Sequence, residues 1–171
     1  AYSAIANGGR LLHPTIIKSI EDNNFFNNHN KTIRQVMTLS TSKTMLNLLE
    51  KVVSSGSGSN AFIEGYNVAG KTGTAQKFID GEYSDTQYIS SFASIFPSNN
   101  PQYVCIVSID SPNKNKGKHW GNETAAPIIK NIYKKIINLK NIKSETFIAD
   151  DNINTKQISI KDNQINSDIM P

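Results

Sequence analysis

Apolar and polar positions change period several times along the chain, and each change predicts an element. Ala1-Tyr2-Ser3-Ala4-Ile5-Ala6 reads as the last turns of a helix, ended by Asn7-Gly8-Gly9, which supplies left-handed residues. Leu11 to Ile20 is apolar and β-branched with Pro14 near its start, predicting an extended edge segment. Glu21 to Lys31 is Asn-rich and predicts a loop, after which Thr32 to Met37 returns to extended chain. Ser40 suits a helix N-cap. Beyond it, Met45, Leu48, Leu49, Val52 and Val53 recur at spacings of three and four, one apolar helical face that Gly56 stops. Ser54 to Ser59 is a Gly/Ser loop. Val68 to Phe78, Tyr88 to Phe96 and Tyr103 to Asp110 are β-branched and aromatic, and predict three strands in an antiparallel meander. Asp80-Gly81 is a hairpin pair, although the polar run to Thr86 predicts a longer loop there. Pro97 to Pro101 makes the next turn, and Ser111 to Gly121 a Lys- and Asn-rich loop. Thr124 to Leu139 predicts a helix with Pro127 in its first turn and Ile128, Ile132, Ile136 and Leu139 facing inward. From Lys143 the chain is polar and unpatterned, which predicts a disordered tail over 143–171.

The 171 residues suffice for one domain with a core, and 37% hydrophobic with 19% charged residues is a globular balance. The net charge of +4 is not gathered into a basic tract, which argues against a nucleic-acid partner. Lys114, Lys116 and Lys118 read as a solvated loop. The single cysteine, Cys105, has no disulfide or metal partner at ligand spacing and lies in an apolar run, so a buried structural role is expected. His13, His29 and His119 show no metal spacing and are expected at the surface; Trp120 is expected to pack against the end of the sheet, with the lining of a substrate groove as the alternative. No apolar run approaches the ~20 residues of a membrane span, and no signal peptide opens the chain. A helix beginning at Ala1, with no initiating Met, is expected of a piece of a longer protein.

The segment Gly65-Tyr66-Asn67-Val68-Ala69-Gly70-Lys71-Thr72-Gly73-Thr74 admits two sharp readings. Gly65, Gly70, Lys71 and Thr72 fit the G-x-x-x-x-G-K-[ST] phosphate loop, and Val104 to Asp110 resembles a strand ending in a magnesium-holding Asp. A phosphate loop needs a buried strand before it and a long helix after it. Here a Gly/Ser loop precedes and a β-prone run follows. The other reading is the Lys-Thr-Gly strand of serine enzymes that recognise penicillin. Such chemistry wants a fixed cation and a hydroxyl for a substrate carboxylate. It also wants a residue without a side chain, so that substrate backbone can pair with the strand. Alternation turns Lys71 and Gly73 one way, Thr72 and Thr74 the other.

The order of segments over residues 1–142 resembles class B penicillin-binding proteins, D,D-transpeptidases. The resemblance is carried by Ala4 to Gly9 with Pro14, the helix from Met45 to Gly56, and the signature from Gly65 to Lys77. Ser91-Phe92 to Pro97 with Asn100-Pro101, and Ala125-Ala126-Pro127, extend it. The Ser91-Phe92 strand and the ending Asp110-Ser111-Pro112 are more similar to the division type, penicillin-binding protein 3-like, than to the elongation type. His119-Trp120-Gly121-Asn122 departs from the family's aromatic-aromatic-Gly-Gly, and Gly56-Ser57-Gly58-Ser59 is also atypical. The implied fold is α+β: the C-terminal part of a penicillin-binding/serine β-lactamase-like transpeptidase domain, an antiparallel sheet covered by helices.

The resemblance implies peptidoglycan cross-linking through an acyl-enzyme, with D-Ala-D-Ala stem peptides and β-lactams as ligands and no cofactor or metal. Lys71, Thr72 and Thr74 would bind the substrate carboxylate, Lys71 would also support proton transfer, and Gly73 would admit the substrate. The parent would sit in the cytoplasmic membrane with this domain outside, partnered by a glycosyltransferase and division proteins. D,D-carboxypeptidases, β-lactamases and β-lactam sensors share these motifs. The family's nucleophile is a Ser-x-x-Lys serine far N-terminal to the strand, helped by a Ser-x-Asn loop. Ser40-Thr41-Ser42-Lys43 and Ser98-Asn99-Asn100 match only as letters: the first lies about thirty residues before Lys71 at a helix start, the second follows it in a turn. The chain alone is therefore expected to be inactive.

Overall fold

A computed structural model describes residues 1–16, 31–113 and 119–144. The expected tail beyond residue 144, the end of the segment predicted over Leu11 to Ile20, most of the Glu21–Lys31 loop, His29 and Lys114, Lys116 and Lys118 lie outside them. The elements run α1 (Tyr2–Ala6), β1 (Arg10–Leu12), β2 (Thr32–Gln35), α2 (Leu39–Ser54), a 3-10 turn (Ser59–Ala61), β3 (Ala69–Ile79), β4 (Glu82–Phe96), β5 (Tyr103–Asp110), α3 (Gly121–Thr124) and α4 (Ala126–Lys140). No helix among the described residues is long and apolar enough to cross a membrane.

The predicted meander forms as a three-stranded antiparallel sheet in the order β3-β4-β5. Its two faces are sorted by alternation. Phe92 and Phe96 point to one face, where they pack with Ala125, Ala126, Ile129 and Tyr133 around α4. Ala69 and Ile95, opposite each other in register, point to the other face and meet Ile5, Leu46 and Leu49 of α1 and α2. Cys105 is half-buried, not buried. Its side chain packs against the α4 core, and burial pushes its thiol pKa up. The small β1-β2 sheet stands apart, with Gly9 (φ +90) turning the chain where a Cβ would lie 2.1 Å from the Met37 carbonyl oxygen.

Several boundaries and faces differ from the sequence expectation. Thr38, not Ser40, caps α2: its Oγ1 accepts the Thr41 N–H at 3.1 Å, which puts Ser40 inside the first turn. The buried stripe of α2 is Ser42, Leu46, Leu49 and Val53, leaving Leu48 52% exposed. Ser42 joins that stripe because its hydroxyl donates to the Ile5 carbonyl at 2.6 Å, turning this side toward α1. On α4 the inward stripe is Ala126, Ile129, Tyr133 and Ile137, while Leu139 is 80% exposed. Two apolar stripes overlap in that helix. The one bearing Tyr133 faces inward, where its ring stacks on Phe96 at 4.6 Å and its hydroxyl meets the buried Ser94 hydroxyl at 2.8 Å. The loop expected through Thr86 is absent: Asp80 (φ 53) and Gly81 (φ 91) make a two-residue turn, and β4 starts at Glu82. The polar residues there are extended because the hairpin end is solvated on both faces and needs no apolar alternation.

Burial holds the Tyr133 pKa above its ordinary value of 10.0. An unfolded chain therefore releases this proton first, so stability is flat below about pH 10 and falls as pH rises above it. Tyr133→Phe should remove that part of the alkaline loss and cost about 1 kcal/mol at neutral pH through the lost hydrogen bond to Ser94, whose hydroxyl keeps its bond to the Cys105 carbonyl. Urea unfolding of both forms between neutral pH and about pH 11 checks it; an identical alkaline slope in the two would refute it.

Candidate active site

β3 is an edge strand: β4 pairs with one side of it, and no strand pairs with the other among the described residues. Lys71, Thr72, Gly73 and Thr74 lie opposite Ala93, Phe92, Ser91 and Ser90. The register puts Thr72 and Thr74 on the Phe92 face and Lys71 and Gly73 on the other. Lys71 bends back along the strand, its ammonium donating to the Thr72 carbonyl at 3.1 Å and the Thr72 hydroxyl at 3.2 Å. A cation and a hydroxyl thus converge on a strand whose free edge still offers backbone groups. A Cβ would be crowded at two glycines close by. A Cβ on Gly70 would lie 2.4 Å from the Phe92 ring, and one on Gly73 2.5 Å from Ser91 Oγ.

Beside the two threonines is a pocket of about 280 Å³ lined by Ser57, Thr72, Thr74, Trp120, Gly121, Asn122 and Glu123. Its outer wall is α3, held in place twice. A Cβ on Gly121 would stand 2.3 Å from the Ser91 carbonyl oxygen, so the helix start lies directly on the β4 backbone. The Asn122 Oδ1 accepts the Asn60 N–H at 3.0 Å, and the Asn60 amide donates to the Asn122 carbonyl at 2.9 Å. Ser90 Oγ donates to the His119 carbonyl, and the His119 ring lies between Tyr88 and Trp120 at centroid distances of 5.0 and 4.6 Å. His119 is therefore half-buried, not a surface residue, because two aromatic rings cover it. Trp120 is 55% exposed and lines the pocket instead of packing on the sheet end, since His119 takes the place against Tyr88.

The letter matches found elsewhere are not at this strand. Ser40 is an exposed first-turn residue, while Lys43, Ser98 and Asn99 line a separate pocket of about 320 Å³ with Ala6 and Leu46. Ser98 is structural: its hydroxyl donates to Glu50 Oε2 at 2.5 Å, tying the β4–β5 turn to α2. Lys77, within the same signature as Lys71, is committed to Asp110 at 2.8 Å. Hydrogen bonds from Lys77 and Ser111 hold the Asp110 carboxyl below its ordinary pKa. His13 is exposed, with Nδ1 3.1 Å from the Pro14 carbonyl. The phosphate-loop reading fails, because Lys71 and Thr72 lie within an eleven-residue strand and no helix follows them. Sequence reasoning missed Glu123 altogether and noticed Ser57 only within the atypical Gly56–Ser59 loop. It noticed Gly121 and Asn122 only as a departure at the α3 loop.

The family described as penicillin binding protein transpeptidase domain matches residues 1–134. The chain belongs to that family. A similar transpeptidase relative is the peptidoglycan D,D-transpeptidase FtsI homolog of Mesostigma viride, 36% identical over 157 residues, covering 82% of this chain and 26% of the relative. Stage V sporulation protein D of Bacillus subtilis (strain 168) is 43% identical over 141 residues, 77% of this chain and 21% of the relative. Among solved transpeptidases, penicillin-binding protein 3 of Mycobacterium tuberculosis superposes with a TM-score of 0.72 at 33% identity, over 84% of this chain and 34% of that one. The transpeptidase domain of Burkholderia pseudomallei penicillin-binding protein 3 gives 0.71 at 32% identity, over 84% and 41%. The α+β architecture expected from the sequence is that of these transpeptidase domains. The chain spans about a quarter of the length of these curated relatives.

Proposed function

We propose that residues 1–142 are the C-terminal portion of a serine D,D-transpeptidase domain and supply the substrate-binding strand of an enzyme that cross-links peptidoglycan stem peptides. The observation that carries the reading is the Lys71 ammonium within 3.2 Å of the Thr72 hydroxyl on the free edge of β3. In this role Lys71 binds the terminal carboxylate of D-Ala-D-Ala electrostatically and eases proton movement at the nucleophile. Thr72 and Thr74 donate hydroxyl hydrogen bonds to that carboxylate. Gly73 leaves the strand edge open for substrate backbone to pair, and a strand N–H helps to bind the oxyanion. The nucleophilic serine comes from the remainder of the domain. Its oxygen bonds to the penultimate D-Ala carbonyl carbon as terminal D-Ala leaves with a proton; an acceptor amine then takes the acyl group.

Support comes from solved relatives: penicillin-binding protein 3 of Mycobacterium tuberculosis is described in complex with aztreonam and with ampicillin. The FtsI-named relatives favour a division role. The parent would then sit in the cytoplasmic membrane with this domain on the outer side, working with a glycosyltransferase and division proteins. Mass spectrometry after exposure to benzylpenicillin tests the reading. The full-length protein should gain one penicilloyl group per molecule, and the 171-residue chain none. An unlabelled, folded full-length protein would overturn the function; a stoichiometric adduct on the chain alone would overturn the assignment of the nucleophile elsewhere.

A further inference from the structure

The pocket beside β3 has an electrostatic asymmetry that binding of a carboxylate does not use. Among the described residues lining it Glu123 alone is charged, and it is an acid. Its side chain is exposed and forms no ion pair among the described residues. Trp120 brings an indole ring to the same pocket, half uncovered. An aromatic face and a carboxylate together attract a cation. Both are borne on a segment fixed by the Asn60–Asn122 hydrogen bonds and by the contact of Gly121 with β4, so their distance from Thr72 and Thr74 is set by the fold. The strand edge thus ends in the Lys71 cation, while the wall facing the threonines ends in an anion.

We infer that this pocket selects ligands that carry an ammonium group: the ligand's carboxylate meets Lys71 and Thr72, and its ammonium lies beside Trp120 and the Glu123 carboxylate. The inference rests on the transpeptidase reading and adds a charge preference to it. Stem peptides with a free side-chain amine, and β-lactams with an amino side chain, are the favoured class.

Ampicillin and benzylpenicillin differ by a single amino group and isolate this preference. The measurement is the ratio of their acylation rate constants on the full-length protein at about pH 6, where an α-amino group is protonated. Glu123→Gln should lower the ampicillin-to-benzylpenicillin ratio about fivefold, the scale of a partly solvated charge pair. Glu123→Lys should lower it further, and ~0.5 M salt should shrink the wild-type ratio toward that of Glu123→Gln. Glu123 is exposed and forms no ion pair among the described residues, so each variant's own benzylpenicillin rate serves as its reference and only the ratio is read. An unchanged ratio in both variants, each still acylated by benzylpenicillin, overturns the charge preference and leaves the transpeptidase reading intact. No acylation of the wild type by either drug overturns both.

Discussion

Gly121→Ala should destabilise the fold by about 3 kcal/mol or more, at the upper end of overpacking costs. The new Cβ would sit 2.3 Å from the Ser91 carbonyl oxygen and 3.1 Å from that of Gly73. Both obstacles are sheet backbone, so no rotamer change relieves them. Either α3 lifts or β4 shifts, and β4 is the central strand whose Phe92, Ile95 and Phe96 are fully buried. If α3 lifts, the Asn60–Asn122 bonds break and the pocket loses its outer wall. Gly81→Ala is the matched control: nothing lies within 4 Å of its Cβ, but φ is +91. It pays only the left-handed backbone cost of roughly 1–2 kcal/mol. Urea unfolding of the two variants separates steric from conformational cost. A Gly121→Ala protein no less stable than Gly81→Ala would show that α3 is loosely held and that the pocket is not rigid.

The strand of Lys71 was legible because everything that defines it is local. Glycines, a cation and hydroxyls sit inside one β-prone run with turn residues on either side, and pairing with β4 follows from a short hairpin. Where two local signals competed, tertiary contacts decided. At the start of α2 the buried bond from Ser42 to the Ile5 carbonyl turns that side toward α1, a partner thirty-seven positions away. On α4 the isoleucines define two stripes, and the one containing Tyr133 faces inward because Phe96 and Ser94 of the facing strand receive its ring and its hydroxyl. The pocket was legible only in its threonines and, as one of two readings, in Trp120. Ser57, Thr72 and Glu123 come from three segments far apart in sequence, joined by an Asn60–Asn122 pair sixty-two positions apart. A glutamate in a polar loop carries no local sign of facing a site.

Lys71→Ala in the full-length protein should lower the rate of acylation by benzylpenicillin about 10²–10³-fold, the scale of removing one preorganised electrostatic group. Stability should barely change. Lys71 is exposed, and the hydrogen bonds of its ammonium go to its own neighbour, Thr72. That separation makes the test clean, because a lost rate cannot be blamed on a lost fold. Lys71→Arg should recover only part of the loss. It keeps the charge, but a planar guanidinium cannot place a compact ammonium at the Thr72 hydroxyl. The pattern also distinguishes two jobs for the cation. If Lys71 only holds the carboxylate, Arg restores most of the rate and the pH profile is unchanged. If it also eases proton movement, Arg recovers apparent affinity while the maximal acylation rate stays low. A Lys71→Ala protein acylated within tenfold of wild type would remove Lys71 from the chemistry and leave the Thr72 and Thr74 hydroxyls to bind the carboxylate alone.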